Sequence, residues 1–241
     1  MFKLFISLSI FILFSVQAEA SQLVVWNVGQ GQWVTEVQEK ICLHYDMGGE
    51  KTVINEVLKL CREKKNFIHI SHWDLDHLSF VGSFHRRAPS ACLIALPEGN
   101  PSPWKKKILS ALPICEKPDL EKSYETLFES HQFRNPNEAS SVVYSKLFQT
   151  LIPGDSPRSK EKVWMTQVRM STRGLVLGHH GSRTSTSEEL LDHLPALQWA
   201  VASARKSRYG HPHWQVVEAL RLHHVALLRT EDWGNLHFFA R

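Results

Sequence analysis

The run Ser71-His72-Trp73-Asp74-Leu75-Asp76-His77 limits what this chain can be more than any other stretch of it. The apolar segment before it, residues 67–71, reads as a strand, and the residues from 76 onward read as a helix. Four side chains able to bind a metal, His72, Asp74, Asp76 and His77, therefore stand within six positions at a strand-to-helix junction. Any one of them would suit an ordinary polar loop with an aspartate cap. All four at this spacing, mixing imidazole nitrogen with carboxylate oxygen, point to one or two borderline-to-hard divalent ions.

The remaining sequence supplies a body for such a site. Its 241 residues, 43% hydrophobic and 22% charged, have the length and balance of one globular domain, with room for two similar halves. The first twenty residues read differently. Lys3 precedes an apolar run over residues 4–16, and Ala18-Glu19-Ala20 closes it with small residues at the first and third positions. About thirteen apolar residues fall short of the roughly 20 that a spanning helix needs, so a cleaved signal peptide over 1–20 is expected, with the domain over 21–241. The protein would then be exported, periplasmic or secreted, with no stable membrane insertion after cleavage. Export would put Cys42, Cys61, Cys92 and Cys115 where disulfides persist, with three pairings open. Their apolar surroundings, such as Ile41-Cys42-Leu43, equally suit buried thiols. The formal net charge of +4 leans toward anionic partners.

Residues 23–26, 33–37 and 40–45 read as three opening strands joined by glycine-bearing or polar turns. A helix over 52–64, the strand over 67–71, a helix over 76–85, a strand over 91–96 and a helix over 103–112 follow as alternating units. Strands are expected again over 128–133, 142–148, 150–152, 174–177, 199–203, 225–229 and 236–239. Helices are expected over 185–193 and 214–223. This is a mixed α/β (α+β) protein with two sheets and helices outside them. Its polar clusters fall at the C-terminal ends of strands, where such architectures place their sites. Ions held there would lower the pKa of a bound water toward roughly 7, which suits hydrolysis.

The motifs, taken in order, resemble the metallo-β-lactamase superfamily, and within it the hydrolase-like domain of ComEC-type DNA-uptake proteins. Asn27-Val28-Gly29-Gln30-Gly31-Gln32 is similar to that family's D-V-G-Q-G-D, and Asp46-Met47-Gly48 to its D-T-G. His72 to His77 resembles its H-x-[HD]-x-D-H, Asn137 to Val142 its N-x-x-S-x-V, and Gly154-Asp155 its T-G-D. His179-His180-Gly181-Ser182 resembles its H-H-G-S, and Tyr209-Gly210-His211-Pro212-His213 its F-G-H-P-H. The resemblance implies a four-layer αββα sandwich. It also implies one metal site from His72, Asp74 and Asp155, and a second from Asp76, His77, Asp155 and one of the adjacent histidines. His180 is taken as that ligand, leaving His179 to face substrate.

Three departures qualify the match. Asn137 stands where the superfamily's third-motif histidine would be, and Asn27 and Gln32 replace two aspartates. A donor set rich in carboxylates suits Zn²⁺ or Mn²⁺, with Mg²⁺ as a further alternative. Asp76, His179 and His211 are the candidate catalytic groups, and Asn137, Arg183, Arg208 and His213 the candidate substrate contacts. Arg183, Arg205, Lys206 and Arg208 flank the histidine turns as a clamp for phosphate oxygens, whereas Lys105-Lys106-Lys107 reads as an exposed helix face. The expected activity is an exported phosphodiesterase or nuclease acting on DNA or RNA, in association with an uptake channel. The alternatives are a catalytically weakened nucleic-acid-binding domain, and an esterase of small phosphoester or lactone substrates.

Overall fold

The first strand, β1 (Gln22–Val25), sends Leu23 and Val25 to one side and Val24 to the other, and both sides are buried. An antiparallel strand covered on both faces needs a layer on each. A computed structural model, which describes residues 20–116, 120, 122–131 and 133–240, supplies those layers. The signal peptide read over 1–20 lies, except for Ala20, outside the described residues.

After β1 come β2 (Trp33–Val37), β3 (Ile41–Met47), α1 (Ile54–Leu60), β4 (Lys65–His69), α2 (Leu75–Leu78), α3 (Val81–His85), β5 (Cys92–Leu93) and α4 (Pro103–Leu109). The second half runs β6 (Tyr124–Phe128), β7 (Val142–Ser145), β8 (Thr150–Ile152), α5 (Arg158–Trp164), β9 (Gly174–Val176), α6 (Glu188–Asp192), β10 (Trp199–Ala202), α7 (Lys206–Tyr209), α8 (Trp214–Leu222), β11 (Ala226–Arg229), α9 (Thr230–Trp233) and β12 (Leu236–Phe239). One sheet has the order β12-β1-β2-β3-β4-β5 and the other β11-β10-β9-β8-β7-β6. In each, antiparallel strands continue into parallel ones: β3, β4 and β5 run parallel in the first sheet, and β8 to β11 in the second.

Three apolar clusters define the layers. Leu23, Val25, Val34, Leu43, Val143, Ile152, Val176 and Val201 pack between the sheets. Val24, Trp33 and Ile68 pack outward against Val57 of α1, Phe84 of α3 and Leu109 of α4. Leu151, Leu175 and Ala200 pack outward against Trp164 of α5, Leu190 of α6 and Val216 of α8. The chain is thus the four-layer αββα sandwich expected. A polar pin crosses its middle, where Ser145 of β7 donates to the buried Glu36 of β2 at 2.6 Å.

Several boundaries differ from the sequence reading. The helix expected over 76–85 is two, because the Phe80 amide leaves the helical ladder to donate to the Met47 carbonyl at 2.8 Å. The strand expected over 128–133 lies upstream as β6, where Tyr124 pairs with Ser145 and its hydroxyl meets His69 at 2.7 Å. The strand expected over 91–96 shortens to two residues. Helices α5, α7 and α9 were not anticipated. They are short and mostly polar, and α7 and α9 bury at most one residue each, so they carry no helical apolar period.

The cysteines form two disulfides, Cys42–Cys61 and Cys92–Cys115, which removes the buried-thiol alternative. No helix among the described residues is long and apolar enough to cross a membrane.

Candidate metal centre

Strand ends deliver the site. Asp46 leaves β3, the run 71–77 leaves β4, Asp155 follows β8, and His179 and His180 follow β9. Parallel strands end on the same edge, so these segments meet there. Asp74 sits at the N-cap position of α2, but its side chain makes no capping hydrogen bond. It lies instead 3.6 Å from His72 Nε2 and 3.1 Å from the Lys105 ammonium.

The imidazoles are held from behind. His77 Nδ1 donates to Asp46 Oδ2 at 2.7 Å, His180 Nδ1 to the Ser203 carbonyl at 3.1 Å, and His72 Nδ1 to Ser71 Oγ at 3.0 Å. Asp46 also accepts from the Ser71 amide at 2.7 Å and hydroxyl at 2.8 Å, and from Gln32 Nε2 at 2.8 Å. With Nδ1 so engaged, each ring turns Nε2 forward with its lone pair free, the arrangement that outer hydrogen bonds impose on metal-binding histidines. Gln32 therefore has a role as a donor: an aspartate there would face the Asp46 carboxylate.

In front, Asp155 divides its oxygens. Oδ1 lies 3.0 Å from His77 Nε2 and 3.7 Å from His180 Nε2, while Oδ2 lies 3.9 Å from His72 Nε2 and 3.4 Å from His179 Nε2. His180 Nε2 is 3.2 Å from His77 Nε2 and 3.3 Å from Asp76 Oδ2. Ligands about 2.0–2.1 Å from a tetrahedral ion stand about 3.3 Å apart, so these spacings fit one. His72 Nε2 and Asp155 Oδ1 are buried with no hydrogen-bond partner, which an ion would satisfy. Two overlapping groups emerge, His72-His77-Asp155 and Asp76-His77-His180, and His77 is the residue they share; Asp155 reaches the second through Oδ1, 3.7 Å from His180 Nε2.

The local field favours positive charge. Burial opposes a charged His77, yet the Asp155 and Asp46 carboxylates outweigh it and raise its pKa well above the usual imidazole value. Asp155 is likewise destabilised by burial, but His77 and His180 hold its pKa well below the carboxylate range. A dication between these groups would take over the role of those protons.

Backbone geometry at the motifs has specific causes. A Cβ on Gly48 would come 2.4 Å from the His77 amide nitrogen, so the turn after β3 packs backbone to backbone on the metal-binding run. A Cβ on Gly181 would lie 2.6 Å from Pro212 Cβ, and the His213 amide donates to the Gly181 carbonyl at 2.9 Å. His179 and His180 both adopt left-handed conformations, with φ of 49° and 57°. Such backbone costs about 1–3 kcal/mol per residue and clusters at functional sites.

The cleft over the cluster is lined by Gln30, Asp74, Asp76, Asp155, His179, His180, Ser182, Tyr209, His211 and His213. His179 stands at its mouth, with the Asn137 amide 3.4 Å from its ring nitrogens. Burial, then neighbouring His180, His213 and His179, push the pKa of His211 down to about 4. The proposed clamp is less concentrated than the sequence suggests. Arg183 is exposed and outside the lining residues, while Arg205 and Arg208 reach Glu50 at 2.7 and 3.9 Å.

Sequence reasoning missed two groups. Asp46 entered only through a motif match, because its hydrogen bond to His77 has no local trace in the sequence. Lys105 was assigned to an exposed face, and only the packing of α4 brings it to Asp74.

No family model matches the chain. Over 240 residues it is 41% identical to "Competence protein ComA" of Neisseria gonorrhoeae, covering 93% of this chain and 33% of that protein. Over 206 residues it is 24% identical to "ComE operon protein 3" of Bacillus subtilis, covering 79% of this chain and 26% of that protein. The chain thus spans about a quarter to a third of the length of these relatives. Among solved structures, the metallo-β-lactamase fold protein YhfI of Bacillus subtilis superposes with a TM-score of 0.58 at 10% identity, over 91% of this chain and 99% of that one. That likeness establishes the fold.

Proposed function

We propose that this chain, a ComEC-like domain of the metallo-β-lactamase superfamily, is a metal-dependent hydrolase that cleaves phosphodiester bonds of nucleic acid during DNA uptake. The observation that carries the reading is the set of three Nε2 atoms, on His72, His77 and His180, gathered around the two oxygens of Asp155 in one buried cluster. Asp76, His77, His180 and Asp155 would hold one divalent ion, and His72 with Asp74 and Asp155 a second, Zn²⁺ or Mn²⁺ by the donor chemistry. When bound, such ions supply Lewis acidity and a water of lowered pKa.

The chain's own groups do the rest. Asp76, with its side chain 35% exposed, takes the proton of the attacking water. His179 and Asn137 face the substrate at the mouth of the cleft. His211 is neutral at physiological pH, so it acts as a hydrogen-bond donor to a substrate oxygen and not as a cation. Arg183 and Arg208 at the rim attract the polyanion. The two disulfides fit an oxidising compartment and so support export. The competence relatives support a place beside an uptake channel.

A second reading, a catalytically weakened nucleic-acid-binding domain, is favoured by Lys105 on Asp74 and by Asn137 at the third-motif position, which together deplete the first ion's ligands. A metal-by-substrate screen separates the two. The hydrolase reading expects a generic phosphodiester and DNA to be cleaved with added Zn²⁺ or Mn²⁺ and spared in chelator. DNA binding with no metal-dependent turnover would establish the binder instead.

A further inference from the structure

Beside the metal cleft lies a second depression, and one side chain belongs to both. Aromatic rings lead outward from His180: His179 at 6.1 Å between centroids, His211 at 5.9 Å from His179, then His213 at 4.7 Å and Tyr209 at 5.9 Å from His211. His213 lines the metal cleft and also a surface groove whose walls include Lys206, Pro212, Trp214, Glu218 and Arg229.

The junction exposes two large rings. Trp214 is 73% exposed and Tyr209 is 55% exposed. Folding gives no reason for the tryptophan, since α8 anchors itself through Val216, Ala219 and Leu220 on its other face. Both rings leave an apolar face open to solvent. Cations accompany them. The Lys206 ammonium has no partner among the described residues, the Arg208 guanidinium lies 5.4 Å from the centre of the Tyr209 ring, and Arg229 is shared with Asp232 at 3.5 Å. The one acid of the wall, Glu218, is neutralised by Arg221 at 2.7 Å. His213 Nδ1 accepts from the Arg183 amide at 3.0 Å, so the neutral ring carries its proton on Nε2 and offers a donor at the junction.

We propose that this groove is the track for an unpaired nucleic-acid strand entering the metal cleft, with Trp214 stacking on a base in the groove, Tyr209 on one in the cleft, and Lys206 and Arg229 facing phosphates. The inference rests on the phosphodiesterase reading only for what the strand meets at its end. Exposed rings interleaved with cations are how proteins hold single strands without reading sequence, because every base has a π face. A duplex keeps those faces stacked inside and would meet the groove through its phosphates alone.

The test uses chelator-treated, metal-free mature protein and a fluorescently labelled oligothymidylate, with a matched duplex as comparison, followed by anisotropy over a salt series. Trp214→Ala should weaken single-strand binding about tenfold, with Trp214→Phe restoring most of it. Lys206→Ala should reduce the salt dependence by about one phosphate's worth. Equal binding by wild type and Trp214→Ala, or duplex binding as tight as single-strand binding, would overturn the proposal. So would a concentration-dependent dimer that Trp214→Ala abolishes, which would make the groove a contact between copies. Failure of the phosphodiesterase reading shows elsewhere: single-strand binding that depends on Trp214, with no metal-dependent cleavage by wild type, supports the groove and sinks the hydrolase.

Discussion

Asp74 is pulled two ways, toward His72 Nε2 at 3.6 Å and toward the Lys105 ammonium at 3.1 Å, and the outcome decides how the first cluster fills. Lys105 is only 21% exposed at its side chain, so its charge is weakly screened where a dication would have to sit. Replacing it by methionine keeps the length of the stem and removes that competitor. Lys105→Met should tighten binding of the more weakly held Mn²⁺ ion by about three- to tenfold, given that partly exposed pairs are worth about 0.2–1 kcal/mol and that charge repulsion is relieved as well. Calorimetric titration reads it, and an unchanged second affinity would remove Lys105 from the account. Nothing in the sequence around Lys105-Lys106-Lys107 marks one of the three as different. Consecutive helix positions are turned about 100° from one another, so the three cannot all face one way, and which of them meets Asp74 is decided only when α4 packs across the loop that carries it.

At the level of elements, the end of helix α1 is tied to β3, and the segment after α4 to β5, each by a disulfide. Cys42 lies at the start of β3 and Asp46 near its end, so the Cys42–Cys61 bridge is a strand's length from the metal-binding groups. Sequence separations of 19 and 23 residues correspond to about 3 kcal/mol of stability for each bridge in the chain-entropy model. Urea unfolding of the double mutant Cys42→Ser/Cys61→Ser should show that loss with metal affinity intact, and undiminished stability would show that the bridge contributes nothing. Which elements were readable follows from their apolar patterns. The strands β1, β2, β3 and β9 are buried on alternating or both faces and were visible as apolar runs. Helices α7 and α9 bury at most one residue and were invisible for that reason. The candidate metal-binding run was legible because four candidate ligands, two histidines and two aspartates, crowd six positions. Its support by Asp46 was not, because a hydrogen bond between residues 46 and 77 has no local trace.

For the whole molecule, two buried histidines set the response to acid: His44, held within the first sheet between Thr35 and Asn66, and His69, which reaches Tyr124 of the second sheet. Burial, only partly offset by Asn66, lowers the pKa of His44 from 6.5 to about 4, and burial lowers that of His69 to about 4 against the pull of Asp46. His44 accepts from the Thr35 hydroxyl and donates to Asn66, so it is neutral in the fold. Below pH 6.5 the unfolded chain binds protons that the folded chain refuses, and stability falls until about pH 4. Each histidine can cost up to about 3 kcal/mol over that interval. Glu36 and Glu161, raised by burial, oppose this trend, so a variant isolates the effect. His44→Gln should lose less stability than wild type between pH 7.5 and 5 in denaturant titrations, and parallel losses would contradict the assignment. The central claim is that one carboxylate, Asp155, serves two ions. The most direct measurement is metal content and affinity, for Zn²⁺ and Mn²⁺, of wild type and Asp155→Asn, with circular dichroism to establish that both are folded. The account predicts that the variant, keeping its shape but losing one negative charge, loses affinity at both sites together and turnover with it, whereas Asp155→Asn that retains stoichiometric metal and wild-type turnover would contradict it.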